Sequence, residues 1–221
     1  MKRISLLAAL FLGLLFEFSC TKDNSSPVQS DIFPLNNGNY WVYLDSTYNQ
    51  GGWWMDTSKI SIGPQVTILG HTAFMMNSNT TTDNPYHLIY LAGNDATGNF
   101  VYVGAYSDLD TLISPSIRFK NNPSKNESWT ASMLYGIYDS GKVGIEDSSA
   151  IIKCTAIDTM LVAPVGKFTC TVYALSFKNG PYDVDRFIYY VSRNEGIIKM
   201  LHYENTKLQR ISYLIEYKIF K

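Results

Sequence analysis

The chain has 221 residues, a formal net charge of −1 and a 46% hydrophobic composition that includes 16 Tyr, 11 Phe and 4 Trp. This length suits a single domain with a sizeable core. The near-neutral balance lacks the basic patch of a nucleic-acid binder, and no apolar run after the first segment approaches the roughly 20 residues of a membrane helix.

Met1-Lys2-Arg3 opens the chain, an apolar run extends from Ile4 to Phe16, and Ser19-Cys20 precedes the polar string TKDN. A positive start, an apolar stretch and a small residue before the cut describe a secretory signal. Cys20 directly after Ser19 resembles the processing site of bacterial lipoproteins. That resemblance implies removal of residues 1–19, acylation of Cys20 (with palmitate among the chains) and membrane attachment through the lipid. A plain secretory signal with an incidental cysteine is the alternative. Residues 20–31, the cysteine and a polar Pro-containing string, then read as a disordered tether, and 32–221 as one β domain. The expected address is the bacterial cell envelope, at the outer membrane, facing the periplasm or the surface.

From Ile32 onward the hydrophobic period is two, which predicts strands. Candidates are Tyr40–Tyr48, Ser58–Ile68, Ala73–Asn77, His87–Ala92, Trp129–Tyr135, Ile151–Thr159, Phe168–Phe177 and Arg186–Ser192, with turn clusters such as NNGN at 36–39 and RNEG at 193–196 between them. Phe100, Tyr102 and Tyr106 share one face of a further strand, with Gly104 between them. At the C-terminus Ile211, Tyr213, Ile215, Tyr217 and Ile219 fall on one face, and Arg210, Ser212, Glu216 and Lys218 on the other, with Leu214 the exception. Such alternation predicts an all-β fold: antiparallel curved sheets forming a sandwich or an open barrel. VTILGHTAFMM at 66–76 parallels MLVAPVGKFTCTVY at 160–173, and 87–103 parallels 187–201, which suggests two similar halves.

FPLNNGNYWVY at 33–43, a second Trp at the end of NPSKNESW, Pro164-Val-Gly166-Lys-Phe168-Thr-Cys170 and RFIYYVSRNEGIIKM near the end together resemble uncharacterised lipoproteins of the Bacteroidetes type. The resemblance implies a β-rich lipoprotein domain and carries no activity.

The search for chemistry finds little. His71, His87 and His202 lack metal-ligand spacing, and no Walker loop, nucleophile elbow or C-x-x-C is present. No cofactor or metal is expected. Asp108 with Asp110, and Asp183 with Asp185, place paired carboxylates on extended segments, read as solvated turn residues or as calcium ligands. His202 meeting Asp183 or Asp185 is the remote route to a hydrolase whose site follows no motif. Cys154 and Cys170 admit a disulfide in an exported protein. If 163–166 is a tight turn, however, they do not face each other, and two buried thiols are the other reading. Ser46, Thr111 and Thr159, each after an Asp, resemble O-glycosylation sites of exported Bacteroidetes proteins.

Gly51-Gly52-Trp53-Trp54 stands apart. Adjacent indoles on a strand point to opposite faces, so either both pack over the sheet or the pair is presented for recognition of an envelope protein or glycan. Trp41 and Trp129 belong to the core. The functional expectation is a lipid-anchored, non-enzymatic binding or structural module of the envelope, with a carrier of an apolar ligand inside a curved sheet as the alternative.

Overall fold

Strands follow one another through short turns in the computed structural model, which describes residues 31–49, 51–80, 89–107, 110–139, 142–179 and 183–220, with no helix among them. The strands are β1 (Tyr40–Asn49), β2 (Gly52–Ile68), β3 (His71–Thr80), β4 (Ile89–Asn94), β5 (Phe100–Tyr106), β6 (Thr111–Phe119), β7 (Ser128–Asp139), β8 (Lys142–Ala163), β9 (Gly166–Asn179), β10 (Asp183–Ser192), β11 (Gly196–Glu204) and β12 (Lys207–Lys218). They form one sheet ordered β6-β5-β4-β3-β2-β1-β12-β11-β10-β9-β8-β7. Two six-strand meanders are thus joined where β1 pairs with β12, from Tyr40 opposite Lys218 to Thr47 opposite Arg210.

The free edges, β6 and β7, curl toward each other, and side chains bridge them. Trp129 Nε1 donates to Ile117 O at 2.9 Å, Ser116 Oγ to Ser132 O at 3.4 Å, and Ser114 Oγ lies 2.7 Å from Ser132 Oγ. Of the sandwich and the open barrel, the protein is the latter: a nearly closed antiparallel barrel whose interior is shared by both meanders.

The two halves repeat one hydrogen-bond pattern. Gly38 N donates to Ile62 O and Ile62 N to Asn39 O, each at 2.8 Å; Asn126 N donates to Cys154 O at 2.7 Å and Cys154 N to Glu127 O at 2.9 Å. Each motif is preceded by a turn, Asn39 N to Asn36 O and Glu127 N to Ser124 O, both 3.0 Å. Gly38 (φ 90°) and Asn126 (φ 69°) fill the same left-handed position, and Trp41 and Trp129 follow three residues later in each half. The paired segments 66–76 and 160–173 span the turns of the β2–β3 and β8–β9 hairpins, and 87–103 and 187–201 span those of β4–β5 and β10–β11. The equivalence also explains Cys154, which occupies the core slot held by Ile62 in the first half. Free cysteine behaves there as a small hydrophobe.

One end of the barrel is plugged by the segment before β1. Ile32, Phe33 and Leu35 are buried, and the Phe33 ring lies 4.7 Å from both Trp41 and Phe100. Polar clamps hold its backbone: Asn94 Nδ2 donates to Phe33 O at 2.9 Å and Asn39 Nδ2 to Pro34 O at 3.0 Å. Gly196 (φ 87°) lies so close that a Cβ there would meet Phe33 at 2.9 Å. Phe119, Tyr173 and Tyr189 continue the aromatic layer inward.

Two face assignments are corrected. On β12 the interior side is Arg210, Ser212 and Leu214, with Ser212 and Leu214 fully buried, whereas Tyr217 is exposed and Tyr213 lies under Lys199 on the outside. The sequence pattern misleads because this part of the barrel interior is polar. On β5 a bulge between Tyr102 and Gly104 sends Phe100 and Tyr102 to the main core but Tyr106 to a separate cluster with Leu91 and Val103. Gly104 permits the close approach of β6, since a Cβ there would lie 2.4 Å from Leu112 O.

Candidate functional site

The β1–β2 hairpin carries the tryptophan pair at its tip. Tyr48 faces Trp53 and Thr47 faces Trp54 across the ladder, so the indoles stand on opposite faces. Both are wet: Trp53 is 50% exposed, Trp54 63% and the following Met55 67%. The structure therefore places the pair at the surface and not over the sheet. Gly52 has φ 120°, a conformation side chains avoid, which accounts for a glycine at the turn. The rings are held in place. Trp54 Nε1 donates to Asn49 Oδ1 at 2.7 Å, and that oxygen also accepts from Gly51 N at 3.0 Å. Trp53 packs edge-on against Tyr48 at 5.7 Å, and Lys207 Nζ lies 4.1 Å from the Tyr48 ring centroid.

Period-two alternation puts Trp54 on the same face of β2 as Ser58 and Ile60, which line an interior cavity of about 170 Å³. Tyr43, Tyr102 and Tyr189 wall this cavity with Ile197 and Met200, and Arg210, Ser58, Ser78 and Ser212 supply polar edges. Arg210 Nη2 lies 2.5 Å from Asp45 Oδ2. Tyr43 donates its hydroxyl to Ile197 O at 3.0 Å, and burial pushes the phenols of Tyr43 and Tyr102 well above their ordinary range. The space is polar-edged and smaller than the roughly 300–1,000 Å³ of typical ligand pockets.

The other candidate residues are dispersed. His202 does meet a carboxylate, with Nε2 3.0 Å from Asp185 Oδ1, and its ring stacks on Phe187 at 4.3 Å. Among the described residues no serine, threonine or cysteine bonds to it. Cys154 and Cys170 are separate buried thiols. Near the turn their strands run in the expected register, from Ala163 opposite Gly166 to Thr159 opposite Cys170, and irregularities between Thr159 and Cys154 then shift it, leaving Tyr173 opposite Cys154. An open cleft of about 420 Å³ beside Asp158, Lys167 and Arg193 reaches Cys170, but burial, helped by Glu195, pushes that thiol up to about 12, so no thiolate nucleophile is available there. Asp110 spends both oxygens on backbone, Thr111 N at 2.8 Å and Ile145 N at 3.3 Å. Of the hydroxyls following Asp, Thr111 is exposed at the start of edge strand β6, while Ser46 and Thr159 are half-buried inside β1 and β8. No group of three His, Cys, Asp or Glu able to hold a metal occurs among the described residues. Cys20, the tether up to residue 30, His87, Asp108 and the Asp183 side chain lie outside the described residues. Sequence reasoning missed the polar interior: Asp45, Arg210 and Ser212 read as the wet face of a strand, and Arg118 lies on β6, a strand the sequence pattern did not reveal.

No protein-family model matches the chain, and no curated protein matches it. Solved structures that resemble it include a protein described as exported, with a YmcC-like fold, from Bacteroides fragilis NCTC 9343, at TM-score 0.49 and 14% identity over 86% of this chain and 99% of that one. Another is a protein described as a lipoprotein from Parabacteroides distasonis ATCC 8503, at TM-score 0.40 and 13% identity over the same shares.

Proposed function

We propose that the protein is a lipid-anchored, non-enzymatic binding module of the bacterial cell envelope, held at the outer membrane through Cys20, and that the β1–β2 hairpin tip is its contact site for envelope glycan. The observation that carries this reading is the exposure of Trp53, Trp54 and Met55 on a scaffold whose other tryptophans pack into the core, Trp41 fully and Trp129 in part. Trp53 and Met55 share one face of the tip and Trp54 stands on the other, so the hairpin presents large exposed apolar side chains on both sides, and exposed apolar surface of this kind marks an interaction site. The Trp54 indole, bonded to the Asn49 amide and opposite Thr47 across the ladder, offers a flat apolar face beside hydrogen-bonding groups, which suits the mixed surface of a sugar ring.

Polarity of the barrel adds support. The chain enters at the plugged end, where Ile32 N donates to Gly98 O at 3.2 Å, and the ten-residue β1 then leads to the tip, roughly 33 Å away at ordinary strand rise. A tether at one pole leaves the tryptophans at the other, directed away from the anchor. The test is co-purification of lipidated protein with envelope polysaccharide, comparing wild type with Trp53→Ala/Trp54→Ala. Glycan recovered with wild type and lost with the variant is the expected result, and equal recovery would contradict it.

A further inference from the structure

The hairpin joining β8 to β9 projects beyond the plugged end of the barrel. Ser192, the last residue of β10, faces Cys170, whereas β9 begins further out, at Gly166. The tip thus extends roughly 13 Å past the β10–β11 turn at ordinary strand rise. That turn is where the described chain starts, since Asn194 N donates to Asp31 O at 3.3 Å. The hairpin and the incoming chain share one pole, and Trp53 and Trp54 occupy the other.

The two faces of this tip differ. Leu161, Val165 and the buried Phe168 pack on the core, and the Phe168 ring reaches Tyr217 of β12, with centroids 6.4 Å apart. Met160 and Val162, on the opposite face, are 66% and 69% exposed, and Pro164 in the turn is exposed as well. Lys167 stands across the ladder from Val162, exposed and paired with no carboxylate among the described residues. A lysine stem can lie along apolar surface while its ammonium stays wet. Apolar side chains at a protruding tip with such a lysine beside them suit the boundary between acyl chains and headgroups. In the neighbouring cleft Lys167 and Arg193 are balanced by Asp158 and Glu195, so the contact does not depend on an anionic surface.

We infer that the β8–β9 tip is a membrane-docking element that sets its exposed face against the bilayer holding the acyl chains of Cys20. This inference rests on the lipid anchor proposed above. Residues 20–30 span at most about 36–40 Å, which keeps the tip within reach of that bilayer, at an effective concentration on the order of millimolar. A contact of a few side chains, too weak to hold alone, then sets orientation: the barrel stands on its plugged end and the tryptophan hairpin points away from the membrane. A second copy of the chain fits less well. A stable protein interface takes about 20–30 residues a side, and the exposed apolar face of the tip consists of Met160, Val162 and Pro164.

The test places an environment-sensitive fluorophore on lipidated Val162→Cys in phosphatidylcholine vesicles whose acyl chains carry nitroxide. Cys154 and Cys170 are buried and stay unlabelled. Met55→Cys at the opposite pole is the control, and flotation of the same samples reports the anchor. The label at 162 should shift to the blue and lose most of its emission to nitroxide, while the label at 55 emits as in water. Floating protein with equal emission from both positions, wet or quenched, overturns the docking and leaves the anchor standing. Protein that does not float overturns the anchor and the docking with it. A label at 162 shielded from water yet untouched by nitroxide means that a second copy covers the tip, which also overturns the proposal.

Discussion

Arg210 Nη2 lies 2.5 Å from Asp45 Oδ2 inside the barrel, and the partners are unequally buried, with side-chain exposures of 25% and 4%. Breaking a buried pair costs about 3–5 kcal/mol when the survivor is stranded in the interior. Arg210→Met strands the deeper Asp45 carboxylate and should show that full loss. Asp45→Asn leaves a guanidinium with partial access to water and a neutral oxygen still able to accept from it, so its loss should be smaller. Urea midpoints of the two variants measure the difference, and equal losses would contradict the unequal burial.

The buried thiols set an alkaline limit. Cys170 is raised to about 12 from 9.0 and Cys154 is raised in the same direction, both chiefly by burial. Below pH 9 both folded and unfolded chains hold these protons, and the stabilisation is fully present. Above it the unfolded chain releases them first, so stability falls as pH rises toward the folded value, by about 1.4 kcal/mol per pH unit and thiol at most. Above pH 10 the buried phenols of Tyr43, Tyr102 and Tyr173 steepen the loss. Denaturation between pH 8 and 10 should show the decline, and Cys170→Ala should flatten it. An unchanged slope in that variant would remove Cys170 as the cause.

The proposed membrane attachment through Cys20 makes a direct prediction. Cys20→Ser should move the protein from the membrane fraction to the soluble fraction and leave the signal uncut at that position. One acyl chain anchors only marginally, and several hold firmly, so the contrast should be large. Retention of the variant with an unchanged mature N-terminus would exclude the lipid.

If the Asp-Ser/Thr sites carry O-glycan, Thr111 should carry it first. It is the exposed one of the three, while Ser46 and Thr159 are half-buried within paired strands. Intact mass of native protein should show glycan heterogeneity that Thr111→Ala reduces. A single mass equal to lipidated polypeptide would end the idea.

Much of the fold was legible because strand alternation and turn residues are local signals. The 163–166 turn sets a register that separates Cys154 from Cys170, and β8–β9 pairs in that register close to the turn. β6 was not legible. Pro115 interrupts its pattern, and a proline is tolerated there because β6 is an edge strand. The polar interior was hidden for a different reason. Arg210 and Ser212 look like solvent-facing residues of an alternating strand, and only closure of the sheet brings Asp45, Arg118 and three tyrosines around them. The tryptophan pair was visible, but its exposure was not, since a strand's position relative to the barrel rim is a property of the assembled sheet.

The contact role of the hairpin tip is tested most directly by affinity electrophoresis through gels containing envelope polysaccharide, run beside thermal melts of the same samples. Wild type should be retarded. Trp53→Ala/Trp54→Ala should migrate freely while melting at nearly the same temperature, because half or more of each indole is already in water. Trp41→Ala, which empties a fully buried site, should instead lose about 3–5 kcal/mol of stability. A double variant that remains retarded, or one that melts as low as Trp41→Ala, would contradict the account.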